Sequence, residues 1–324
     1  MATISCPWGV GAKTKTLLIP ESSYGVMSAD AETKAVLLPF NSNAVAASQN
    51  TTNPQTIRGN RNPVEPIKGN FDVGGDVVVP IDYIALGYWL AAAFGNPTTT
   101  DKTTYKEHVF KILDTQPSFV LEKLFPGISQ YVRTTGCKVS KLSLSVGGDG
   151  ELTATISVLG QKETLADAPA SASPITPVMA RANNFEASLK VDGVDVAVAT
   201  SFSIDIDFGS DGDTYTIGSK GFRQAICDGL VTVSGTLEAF FKDSTFLDMA
   251  DDNETVSIEL TLTSGSNSLS ILLPEAQFAR TSPAIEGPAG VKQSLNYNAF
   301  YSENGEQSTV VVTLGNATAS YEVF

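Results

Sequence analysis

Between residues 67 and 95 the chain changes its hydrophobic period once. Phe71, Val73, Gly75, Val77 and Val79 fall on one face of an alternating run, with Asp72, Gly74 and Asp76 on the other. A period of two marks a half-buried strand. The run stops at Pro80, and Asp82 is well placed to cap the helix behind it. In that helix Ile84, Leu86, Tyr88, Trp89, Leu90, Ala91 and Phe94 cover most of the circumference. A helix so wrapped is predicted to lie between layers, and Gly95-Asn96-Pro97 ends it.

The pattern returns. Gly69 matches Gly229, Val73 matches Val233 and Gly75 matches Gly235, all 160 residues apart, with Val77 meeting Leu237. Thr56-Ile57 and Thr216-Ile217 share the offset. The second copy also runs into a helix, around residues 244–250, with Asp243 or Ser244 at its cap and Phe246, Leu247 and Met249 on its apolar face. One offset over two segments in the same strand-to-helix order predicts an ancient duplication.

The rest of the chain reads mostly as strands. Residues 16–20 and 35–40 are short apolar runs closed by Pro20 and Pro39, which mark strand ends or edges. Residues 41–63 are polar and turn-prone, and are expected to protrude as a loop or long hairpin that reaches another subunit. Strands follow at 108–113, 118–123 and 137–146. The last returns through 147–150 as a hairpin with 152–160 and has a phase slip at Ser140-Lys141 that suggests a bulge. Residues 166–177 are small and proline-rich, a linker in composition. Beyond it, Asp192-Gly193 marks a hairpin. Residues 202–208 alternate strictly and are expected to return at 214–217. Two more hairpins are expected, pairing 256–262 with 268–273 and 293–301 with 308–314. The economical fold is mainly β: two tandem β-sandwich or barrel domains, each with one flanking α-helix. They span residues 1–165 and 181–324, joined by a linker at 166–180.

Composition narrows the function. Only 17% of the 324 residues are charged, and the net charge is −14. That argues against binding nucleic acid by phosphate neutralisation, though not against a surface past which DNA slides. Cys6, Cys137 and Cys227 are isolated, so neither a zinc site nor a disulfide framework is suggested; reduced thiols in a cytoplasm-made protein are expected. The first residues lack the basic start and apolar core of a signal peptide. The longest apolar stretch, 83–94, is shorter than the roughly 20 residues that span a bilayer, so no membrane association is expected. His108 is the only histidine and reads as a surface residue at a strand start. Asp205, Asp207, Asp211 and Asp213 do not form a calcium loop, because Gly209 and Gly218 stand where ligands are needed. Ala12 breaks the phosphate-loop hint at residues 9–14. No catalytic residue, metal or cofactor is expected, and the protein reads as a non-enzyme whose function lies in its surfaces.

The polar stretch 56–63, the strand 69–79 and the helix 82–95 together resemble the bacteriophage major tail proteins of the tail-tube family, here with two tandem tail-tube domains. The resemblance implies a β-sandwich with a flanking helix, joined around a ring and stacked into a hollow tube through which DNA passes. Two domains in one chain imply a trimeric, pseudo-hexameric ring. Loops 53–63 and 207–223 would then contact neighbouring rings through Arg58, Asn60, Arg61, Asn62, Asp211, Asp213, Lys220 and Arg223, with the arm at residues 1–14 clamping a neighbour. Gly69, Val73, Gly75, Asp82, Trp89, Gly229, Val233 and Gly235 would form the structural core motif. Implied partners are further copies of the chain, the tail tip, tape measure and tail terminator proteins, and DNA in transit. The place is the virion tail, assembled in the host cytoplasm, and the duplication favours a long flexible, unsheathed tail of the siphovirus kind. The alternative is a receptor- or carbohydrate-binding β-sandwich module on a virion surface.

Overall fold

The structure, a computed structural model, describes residues 7–285 and 287–324. In the first half the strands are β1 (Lys15–Ser23), β2 (Val26–Met27), β3 (Val36–Leu38), β4 (Ser42–Asn43), β5 (Ala46–Thr52), β6 (Ile67–Pro80), β7 (Thr98–Asp101), β8 (Lys106–Lys111), β9 (Phe119–Phe125), β10 (Gln130–Gly147), β11 (Thr153–Leu159) and β12 (Lys162–Ala166). The second half adds β13 (Ala187–Val191), β14 (Val194–Asp195), β15 (Ala199–Asp207), β16 (Thr232–Phe240), β17 (Val256–Ser264), β18 (Asn267–Phe278), β19 (Lys292–Ala299) and β20 (Val311–Asn316). The α-helices are α1 (Ala31–Lys34), α2 (Leu86–Phe94) and α3 (Thr245–Asp251). Among the described residues no helix is long and apolar enough to cross a membrane.

One antiparallel sheet runs β5–β6–β11–β10–β15–β16–β19 and so draws on both halves of the chain. A second runs β13–β17–β18–β20–β8–β7. They meet where the end of β18 pairs with β19. A third, β3–β1–β9–β10–β12, shares the first part of the long β10, which bends from one sheet into another. The predicted hairpin of β10 and β11 is present, with its register shift between Val139 and Lys141.

Alternation puts Val77, Val79, Leu142, Leu144, Ile204, Ile206 and Leu237 into one core with Leu260, Leu269, Val312 and Leu314 of the second sheet. All of α2 is buried in it, as a helix apolar all round must be. Ring contacts hold it: Trp89 on Phe119 at 6.2 Å, Phe94 on Phe208 at 5.3 Å and Tyr88 on Tyr321 at 4.9 Å.

Gly75 and Gly235 share one physical reason, whereas Gly69 is exposed and its Cβ position lies 3.4 Å from the nearest atom. A Cβ on Gly75 would lie 2.5 Å from the Ala44 carbonyl oxygen, and one on Gly235 would lie 2.0 Å from that of Ser203. In both places a neighbouring backbone carbonyl lies too close for a side chain. Gly229 is pressed the same way, with its Cβ position 2.3 Å from the Gly209 carbonyl oxygen.

Several expectations are corrected. The first helix begins at Leu86, not behind Asp82. Asp82 is fully buried and serves the turn before the helix, its Oδ1 accepting from the amides of Ile84 at 2.8 Å and Ala85 at 2.6 Å. Strand β1 continues through Pro20, beyond the last residue that β3 pairs. Residues 214–217 form no strand, because Asp207 caps the amide of Gly209 at 2.8 Å and turns the chain away. The last two strands do not pair: β19 is taken by β16, and β20 inserts between β18 and β8. With nearly every residue buried, β20 suits a central position better than a hairpin edge. The 166–180 segment is tied along the first half. Ala170 donates to Glu122 at 3.0 Å, and Ile175 exchanges backbone bonds with Ala35 and Leu37, each at 2.8 Å.

Candidate functional site

The long hairpin is the most prominent surface feature. Strands β5 and β6 pair out to Thr52 and Ile67, and residues 53–66 form the tip beyond them. Its Ser, Gln, Asn and Thr side chains leave this end almost wholly exposed, so no core holds it and local hydrogen bonds shape it. The Asn60 side chain accepts from the Asn62 amide at 2.9 Å, and Arg58 donates to the Pro63 carbonyl at 3.3 Å. Ile57 is 96% exposed. Among the described residues Arg58, Arg61 and Lys68 make no ion pair.

The second of the two stretches expected to be ring-contacting loops packs, within one chain, on the strand that leads back from the first. The 208–231 segment packs on the root of the hairpin. Phe222 stacks on Phe71 at 4.7 Å, Tyr215 donates to the Phe71 carbonyl at 2.7 Å, and the Phe71 amide donates to Gly221 at 2.8 Å. Arg223 sits beneath them, 7% exposed. It donates to the carbonyls of Val73 at 2.7 Å, Gly160 at 2.9 Å and Gly212 at 2.8 Å, and pairs with Asp72. Its donors are satisfied inside the chain, so Arg223 braces the hairpin. Asp211 caps the Asp213 amide at 2.9 Å. Both, with Lys220, stay exposed on the outside of this brace. Paired aromatics at Phe71 and Phe222 are the signal that could have foretold it. Residues 1–6 of the expected arm, with Cys6, lie outside the described residues.

The large sheet carries the second feature. The trio β5–β6–β11 is followed, across β10, by the trio β15–β16–β19. Gly75 and Gly235 occupy the middle strands. The halves join where residues 141–147 of β10 pair with 201–207 of β15. Lys141 meets Asp205 across this seam at 3.0 Å. Burial opposes the charged form of Asp205, but hydrogen bonds from Ser143 and Lys141 outweigh it and hold the carboxyl below its usual range. At the outer end, β5 has β6 as its only strand partner among the described residues.

A family model described as "Phage tail tube protein" matches residues 11–299. The chain belongs to this family. No curated protein matches it.

In this tail tube protein His108 and Cys137 are packed inside the fold. His108 is fully buried and not at the surface. Its ring lies 2.9 Å from the Thr99 hydroxyl and 3.2 Å from the Thr318 carbonyl, edge-on to Tyr321. Burial lowers its pKa. Cys137 is buried, and burial pushes its thiol up; Cys227 is exposed, and both are free thiols. The described residues hold no group of three or more metal-binding side chains.

Proposed function

We propose that this chain polymerises as trimeric, pseudo-hexameric rings that stack into a hollow phage tail tube for DNA passage. The observation that carries the reading is the repeated trio of strands in one sheet. The β10–β15 seam is a contact between like units made within a chain, and the open side of β5 offers the matching edge to the next chain. Strand addition of this kind satisfies backbone donors that an exposed edge leaves unpaired. Residues 1–165 and 181–324 are then the two ring units, with 166–180 as the segment between them. A net charge of −14 suits a wall that DNA must pass without adhering. The hairpin, through Arg58, Asn60, Arg61 and Asn62, with Asp211, Asp213 and Lys220 beside its root, is the contact between rings. No enzymatic step or cofactor belongs to this role. The tail tip, tape measure and terminator proteins are its partners at the ends and interior of an unsheathed tail, assembled in the host cytoplasm.

Negative-stain images of the purified chain at high concentration test the reading. Hollow tubes of varied length are expected. Discrete particles that never stack would favour a receptor- or carbohydrate-binding module instead.

A further inference from the structure

The end of the molecule opposite the hairpin carries a groove of about 300 Å³ between the β13–β14 turn and α3. Its floor is apolar: Val191, Val196, Val198, Phe240, Phe246 and Met249 line it. Three carboxylates, Asp192, Asp195 and Asp243, stand against one lysine, Lys242, among its lining residues. The exposed face of α3 continues the negative charge through Asp248 and Asp252, while Asp251 is engaged by Arg280.

The sheet register places this groove relative to the hairpin. Val77 lies in a row with Ile156, Leu142, Ile206 and Val233, and three intervening strands leave β6 and β16 running in the same direction. From that row β6 runs back to Ile67 and the tip beyond it, whereas β16 runs forward to Phe240 at the groove. At about 3.3 Å per residue the two features are separated by on the order of 50 Å along the strands. They face opposite ways.

We infer that the groove receives the hairpin tip of a second copy of this chain stacked head to tail, with Ile57 on the apolar floor and Arg58 and Arg61 against the carboxylates. This rests on the stacking in the proposed function and names its receptor. Complementarity selects that occupant. In a chain of net charge −14, the tip presents two arginines that pair with no acid among the described residues and an isoleucine 96% exposed. The groove offers the reverse, an apolar floor rimmed by acid. Opposed charges with a buried apolar anchor at the centre give both register and affinity.

The test uses the full chain with Cys6 and Cys227 changed to Ser, carrying Ile57→Cys and Val194→Cys. Mild oxidation of the assembled protein should yield a ladder of covalent oligomers that requires both cysteines. Separately, Arg58→Glu with Arg61→Glu should raise the concentration needed for tube growth by about tenfold or more, since like charges then face each other. Adding Asp195→Lys and Asp243→Lys should restore growth. Ile57, Arg58, Arg61, Val194, Asp195, Cys227 and Asp243 are exposed, so thermal melting of the unassembled chain should be unchanged and a folding defect is recognised by its shift. Tubes that form without the crosslink, or reversals that are not rescued, would overturn the groove as receptor while leaving the tube intact. A wild-type chain that never stacks would overturn both.

Discussion

The two strand-to-helix motifs share a sequence pattern and sit in opposite environments. Helix α2 is buried along its whole length between two sheets and is touched by rings from both halves of the chain. Helix α3 buries only Ala250 fully and turns Asp248, Asp251 and Asp252 to solvent. The strands before them kept the same constraint, a glycine under a crossing carbonyl at Gly75 and at Gly235. The two motifs thus share what their backbone path requires and differ in what their helices pack. One helix is core, and the other an exposed acidic rim.

The strongest break of this comparison is at the shared glycines. Gly235→Ala and Gly75→Ala should each destabilise the chain by more than about 4 kcal/mol or prevent folding, because the new methyl meets backbone at both positions, and at Gly235 the buried Tyr297 ring as well. Chemical denaturation measures it, and a tolerated Gly235→Ala would remove the common reason for the two positions. The helices should then differ. Trp89→Ala should lose about 3–5 kcal/mol, against about 1 kcal/mol for Met249→Ala on half-buried α3. Trp89→Phe should lose less than Trp89→Ala, since the buried indole N–H has no acceptor in the first place.

Arg223 sharpens the comparison at the hairpin. Arg223→Ala removes a donor from the Val73, Gly160 and Gly212 carbonyls, of which Val73 keeps the Gly160 amide at 3.0 Å, and should lose about 2–3 kcal/mol. The effect should concentrate at the hairpin root, read as faster amide exchange at Phe71 and Val73. Arg223→Lys should not restore it, because one ammonium cannot reproduce the forked geometry.

A smaller effect comes from His108. Burial lowers its pKa from 6.5, so the folded chain binds that proton more weakly than the unfolded one. Its contribution is fully present above about pH 6.5 and is lost as pH falls below that value. His108→Gln should flatten the stability curve between pH 6.5 and 5. An unchanged slope would assign the acid sensitivity elsewhere.

Much of this was legible in the chain. Alternation from Phe71 to Val79, the all-round apolar helix at Trp89, the turn at Asp192-Gly193 and the slip at Ser140-Lys141 each depend on local periodicity, and local periodicity survives folding. The pairing of β20 between β8 and β18 did not show, because sequence order favours neighbours and the insertion joins residues 200 apart. The burial of Arg223 was hidden for a related reason. A charged residue in a polar loop reads as exposed until the Val73 and Gly160 carbonyls of distant segments are known to converge on it. His108 was hidden likewise: Thr99, Thr318 and Tyr321 close over it only after the C-terminus returns.

End-on class averages of the assembled protein test the central claim most directly, that each chain supplies two like units to a ring. Rings with a sixfold outline and threefold density, three chains each, are the predicted result. Rings of six complete chains, or particles without a lumen, would contradict it.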